Sequence, residues 1–236
     1  MKCLINIFLF LIFMAPDVLA QQQYENIDSR IWTKINLEKK ITTKFSITYT
    51  GGVRMYGRMS YVGMAFSGIG IKYKISKNFR IEFQYRYSRS NHYFSINRHY
   101  DGFLPSFKHR FFFDVFYRQK LFKPVVLTIR NGIQDQYTDP FISEVGLIPV
   151  YYDRFKVVTH LDLNKRYKPY IASEVYYRFY HSNYGNTFDT FRFYAGVEYE
   201  INKKKSIDLF WFYRTRFHVR HTTEIFAVGI TYNMDF

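Results

Sequence analysis

Phe79-Arg80-Ile81-Glu82-Phe83-Gln84-Tyr85-Arg86-Tyr87-Ser88 alternates at every step between an apolar or aromatic side chain and a polar one. A helix would scatter these residues over all its faces, whereas a strand divides them cleanly onto two. The pattern returns at Phe191, Phe193, Ala195, Val197, Tyr199 and Ile201, set against Arg192, Tyr194, Gly196, Glu198 and Glu200. It returns at Ile207, Leu209, Trp211 and Tyr213, and in the final segment, where Phe226, Val228, Ile230, Tyr232, Met234 and Phe236 share one face.

Working outward, strands are expected near 30–38, 44–56, 59–75, 79–89, 108–119, 124–135, 154–164, 168–180, 190–201, 206–217 and 223–236. At ~3.3 Å per residue and a tilt near 40°, about eleven residues rise about 28 Å, enough to cross a bilayer. Ser76-Lys77-Asn78, Gln119 to Lys123, Lys165 to Lys168 and Asn202 to Lys205 read as short polar turns, while Ser90 to Phe107 and Gln136 to Asp153 read as long loops. Short periplasmic turns alternating with long external loops mark an outer-membrane barrel. A secreted β-sandwich would also alternate, but its strands are usually shorter, about 5–6 residues.

The expected fold is therefore all-β, a transmembrane antiparallel up-and-down β-barrel. Single-chain bacterial barrels have even strand counts. Twelve strands are expected if a short one precedes Trp32 near Tyr24 to Ser29, and ten if one segment is not a membrane strand.

Residues 1–20 read as a cleaved signal peptide: Lys2, an apolar run from Leu4 to Ala15 broken by Asn6, then Val18-Leu19-Ala20 before Gln21. That leaves 21–236 as one barrel domain. The only cysteine is Cys3, inside the leader, so the mature chain is expected to have no disulfide, thiolate metal site or cysteine nucleophile. Aromatic residues make up 22% of the chain, with 26 Phe and 23 Tyr, as suits a lipid-facing surface with aromatic girdles. The net charge is +15. With a secretion signal, that charge points to anionic membrane surfaces, namely outer-membrane lipids and lipopolysaccharide, and not to nucleic acid. Lys39, Lys40, Lys44, Lys203, Lys204 and Lys205 lie at turn ends where phospholipid headgroups would meet them.

The face opposite the rings carries charges of both signs: Glu82, Arg86, Arg110, Asp114, Arg118, Arg130, Glu174, Arg178, Arg192, Glu198 and Arg214. These are read as an Arg–carboxylate lattice filling a narrow lumen. The sharper alternative is a binding site or selectivity filter, and the arginine excess would then favour anions. His181-Ser182-Asn183 has the composition of a lipid-hydrolase site, but neighbours on a strand point to opposite faces. His218 and His221 flank a turn and read as solvated residues, so no metal or cofactor is expected. The aromatic segment from Ser90 to Phe107 is open to packing on itself, folding inward or meeting a partner.

Several segments in order resemble the domain-of-unknown-function 2490 family of outer-membrane barrels: Trp32, Leu37-Glu38-Lys39-Lys40, Gly70-Ile71-Lys72-Tyr73, His109-Arg110, Lys168-Pro169-Tyr170 with Glu174, Arg192, Ala195-Gly196-Val197, and Val228-Gly229-Ile230 to Phe236. Asn131-Gly132-Ile133-Gln134-Asp135-Gln136 departs from the acidic pattern that the resemblance implies beside Arg130. The resemblance implies an outer-membrane barrel and carries over no catalytic residue. Tyr232, Met234 and Phe236 resemble the C-terminal signal read by the barrel-insertion machinery. Three functional readings follow: a non-catalytic barrel acting as a narrow channel or structural component, an accessory subunit of an envelope complex with a protein partner, and an outer-membrane lipid hydrolase.

Overall fold

The structure is a computed structural model that describes residues 27–96, 100–138, 150–163, 166–181, 185–217 and 224–236, with the side chains of Ile27, 92–104 and His181 outside the description. The expected leader lies outside the described residues. Among the described residues the chain forms eleven strands. They are β1 (Ile27–Lys40), β2 (Phe45–Tyr56), β3 (Tyr61–Lys74), β4 (Phe79–Ile96), β5 (Tyr100–Phe122), β6 (Val125–Thr138), β7 (Val150–Leu161), β8 (Tyr167–His181), β9 (Gly185–Asn202), β10 (Lys205–Arg216) and β11 (Glu224–Asp235).

Each strand pairs antiparallel with the next, and the sheet closes by a pairing of β1 with β11. That last pairing is parallel, running in unbroken register from Ile27↔Glu224 to Glu38↔Asp235. An odd number of up-and-down strands leaves the first and last pointing the same way, so a parallel ladder is what can join them. This corrects the expected counts of twelve and ten. Ile27 to Ser29 belong to β1 and do not form a strand of their own. Side chains reinforce the seam from inside: Asn36 Nδ2 donates to Asn233 Oδ1 at 2.8 Å. At its end, the Phe236 amide donates to the Glu38 carbonyl at 2.8 Å.

Alternation then sorts the side chains. Outward residues are apolar and open: Ile69 is 58% exposed and Val228 60%. Inward polar residues are covered, with Gln84 at 8% and Ser88 at 0%. A buried cluster of Ala172, Tyr194, Phe212, Ile225 and Ala227 sits inside the barrel against Trp32 and Phe210. Trp32 and Phe212 approach to 4.3 Å between ring centres.

The span Ser90 to Phe107 is not a long loop. The β4 and β5 strands continue pairing up to Ile96↔Tyr100. Their outer neighbours stop earlier, β3 at Met64↔Ser90 and β6 at Lys108↔Thr138. Ring-rich sequence favours strand, and among the described residues the hairpin continues past its neighbours as a two-stranded ribbon. The connections at the opposite end, where Phe236 lies, are short, as at Lys123-Pro124 and Lys203-Lys204.

The parallel seam is open to a direct test. Thr33 and Ile230 face each other across it on the outward side. In a Thr33→Cys, Ile230→Cys double variant, mild oxidation should give one intramolecular disulfide, detected by thiol titration and gel mobility. An extra strand between β1 and β11 would leave both thiols free.

Candidate functional site in the lumen

Five charged residues on five consecutive strands fall in one lateral row. Arg130 on β6 faces Lys156 on β7, which faces Glu174 on β8. Glu174 faces Arg192 on β9, which faces Arg214 on β10. The row thus holds one carboxylate among four cations, and Glu174 pairs directly with two of them, Arg130 and Arg192. Glu174 is 2% exposed. It accepts from Arg130 Nη2, from Tyr194 Oη at 2.8 Å and from Arg192 Nη1 at 3.4 Å. Arg192 Nη1 also donates to Tyr176 Oη at 2.6 Å. Shared among these donors, the carboxylate is held in place.

A second ion pair depends on a missing side chain. Asp114 on β5, Gly132 on β6 and Arg154 on β7 are in register. Arg154 Nη2 reaches over the glycine to donate to Asp114 Oδ1 at 2.8 Å and Oδ2 at 3.0 Å. A Cβ on residue 132 would sit 1.9 Å from Asp114 Oδ1. Residue 132 therefore has to be glycine for charges two strands apart to meet. Tyr170 uses the same device, crossing Gly196 so that its hydroxyl donates to Asp208 Oδ1 at 2.9 Å.

Around the lumen, guanidinium groups alternate with rings. Arg54 lies 3.8 Å from the centre of the Trp32 ring and 5.4 Å from that of Phe66. Arg86 lies 4.8 Å from both Phe66 and Phe112, and Arg154 lies 4.7 Å from Phe112. Arg192 lies 4.5 Å from Tyr176 and 5.9 Å from Trp32, which closes the circuit. Ring quadrupoles attract these cations but do not neutralise them.

The lumen holds two chambers. The larger, toward the ribbon end, has a volume of about 500 Å³ and is lined by eleven Lys or Arg side chains against three carboxylates. The smaller, toward Phe236, has a volume of about 300 Å³, with five cations against four carboxylates. Its charges pair more evenly, as in Lys72 Nζ to Glu38 Oε2 at 2.6 Å. Lys34, Arg86, Phe112, Arg130 and Arg154 line both and form the septum between them.

Of the residues singled out in the sequence, Arg86, Arg110, Arg130, Glu174, Arg192 and Arg214 line the larger chamber, and Glu82 and Asp114 the smaller. Arg118 is exposed toward the short-turn end. Arg178 packs 5.8 Å from the Tyr152 ring, and Glu198 accepts from Ser206 Oγ at 2.7 Å. These three line neither chamber. Lys34, Arg54, Arg154 and Lys156 were missed, although each lies on the polar side of the same two-residue alternation in β1, β2 and β7. Ser182, Asn183, His218 and His221 lie outside the described residues. Among the described residues, no group of His, Cys, Asp and Glu could hold a metal ion.

Residues 29–224 match the sequence profile of the family described as "Protein of unknown function (DUF2490)". The chain belongs to this family. No curated protein matches it significantly. Among solved structures, it is similar to the beta domain of the Bordetella autotransporter BrkA, with a TM-score of 0.54 at 10% identity over 84% of this chain and 86% of that one. The translocator domain of the autotransporter NalP from Neisseria meningitidis gives 0.49 at 10% identity, over 78% of this chain and 72% of that one. OmpT, an outer membrane protein of Vibrio cholerae, gives 0.43 at 11% identity, over 75% and 52%. At such identities the BrkA likeness is one of fold, a closed β-barrel.

Replacing Gly132 with Val should break the Asp114–Arg154 pair and leave a buried charge uncompensated. We expect a loss of about 3 kcal/mol in urea unfolding from lipid vesicles. Ile133→Leu, on the outward face next door, should cost about 1 kcal/mol or less.

Proposed function

We propose that this protein is a non-catalytic barrel of the bacterial outer membrane whose lumen is a narrow, anion-favouring passage. The observation that carries this reading is the charge imbalance of the larger chamber, eleven cations against three carboxylates around space for water. Outer-membrane placement is supported by the apolar outward face and by the BrkA-like fold. In this orientation the ribbon end is external and Phe236 periplasmic, following the short-turn rule.

An entering anion exchanges water for guanidinium donors in the larger chamber. It then meets the septum of Lys34, Arg86, Arg130 and Arg154, where Phe112 is the apolar member. Beyond it the charges are paired, so binding weakens and release is favoured. Cations are repelled at the first step. Outside the barrel, the turn-end lysines meet anionic phospholipid headgroups on the periplasmic side, and external basic residues such as Arg89 meet lipopolysaccharide phosphates. Tyr232, Met234 and Phe236 serve as the signal for the insertion machinery.

The ribbon of 91–96 and 100–107, which among the described residues pairs only with itself beyond Ser90 and Lys108, supports a second reading as an accessory subunit that presents this hairpin to a protein partner. Co-purification of a stoichiometric partner after mild detergent extraction, lost on trimming the ribbon, would favour it.

In planar bilayers the purified barrel should conduct weakly, with a reversal potential displaced toward that of chloride. Lys156→Glu combined with Arg214→Glu should reduce that preference. Silence across salts and voltages would sink the channel reading. Separately, Phe236→Ala should lower the amount of folded, heat-modifiable barrel in the outer membrane several-fold. Unchanged assembly would remove the signal role.

A further inference from the structure

We infer that the larger chamber is a binding site for a compact soluble oxyanion carrying two or more negative charges, held by Arg54 and Arg86 beneath Trp32. This deepens the anion-favouring reading above and rests on it.

A guanidinium stacked on a ring commits its π-face and leaves its in-plane N–H fork free. Arg54 and Arg86 both lie over the Phe66 ring; Arg86 Nη2 donates to Gln84 Oε1 at 3.0 Å, which leaves its other N–H groups for a ligand. Among the described residues, neither has a carboxylate within ion-pair distance. Lys34, Lys156 and Arg214, which line the same chamber, have none either. The indole Nε1 of Trp32 and the Nε atoms of Arg86, Arg192 and Arg214 are buried without hydrogen-bond partners. Buried donors and buried like charges are costly unless something accepts from them. An oxyanion of two or more charges answers both needs at once. Chloride offers neither the oxygen array nor the charge. Lipid headgroups outside are separated from this chamber by the closed sheet, so the ligand is a soluble one.

Trp32 reports on the site. The chain has two tryptophans, and Trp211 lies on the outward face. A Trp211→Phe variant in nonionic detergent would be titrated with pyrophosphate and with citrate, each against potassium chloride at equal ionic strength. At least one oxyanion should shift Trp32 emission saturably where chloride does not. Arg54→Gln with Arg86→Gln should weaken that binding about ten-fold or more, while Arg118→Gln should leave it unchanged. Should the double variant not assemble, Arg54→Lys, which keeps the charge but lacks the planar fork, should weaken binding several-fold. Saturation by neither oxyanion, or affinity unmoved by the arginine changes, overturns the inference. Conductance with anion preference but no saturable binding would reject the site and leave the passage standing.

Discussion

The parallel ladder between β1 and β11 is the constraint on which the rest of the molecule depends. A sheet with free edges exposes unpaired N–H and C=O groups, and in hydrocarbon each is costly. Ten antiparallel pairings leave one gap, and the twelve-residue register from Ile27↔Glu224 to Glu38↔Asp235 fills it. Closure also sets which residues face inward. A slip of one residue at the seam would turn Trp32 and Lys34 out and Ile31 and Thr33 in.

Once closed, the barrel encloses more positive charge than it can neutralise. Where carboxylates exist, they are placed to serve several donors, as Glu174 does for Arg130, Arg192 and Tyr194. Where they do not, rings stand beside the cations, as Trp32 and Phe66 do for Arg54. Glycine makes the longer reaches possible: Gly132 lets Arg154 and Asp114 meet across an intervening strand. The surplus lies on one side of the septum and near-balance on the other. In the passage proposed above, that difference gives the affinity for anions a direction.

Much of the fold was legible in the sequence because period-two alternation records which face each residue takes. The eleven segments it marks correspond one to one with the eleven strands. The expectation of twelve came from the even-count rule, which assumes that an antiparallel pair closes the sheet. The span Ser90 to Phe107 reads in the sequence as a long external loop, following the rule of short periplasmic turns and long outer loops. Pairing with itself was enough to make it strand. In the lumen, Arg130, Glu174, Arg192 and Arg214 could be read from alternation, and so could Lys34, Arg54, Arg154 and Lys156, on strands where the polar side was not followed through.

The sequence by itself determined the face of each side chain, because that depends only on neighbours along the chain, and it thereby determined a barrel with an apolar outside and a charged inside. The tertiary structure alone decided which charges meet. Glu174 and Arg130 are 44 residues apart, and Asp114 and Arg154 are 40 apart. Their meeting depends on the stagger of one strand against the next and on a glycine between them. Strand stagger is set by closing the whole sheet, at a seam joining residues nearly two hundred apart in the chain.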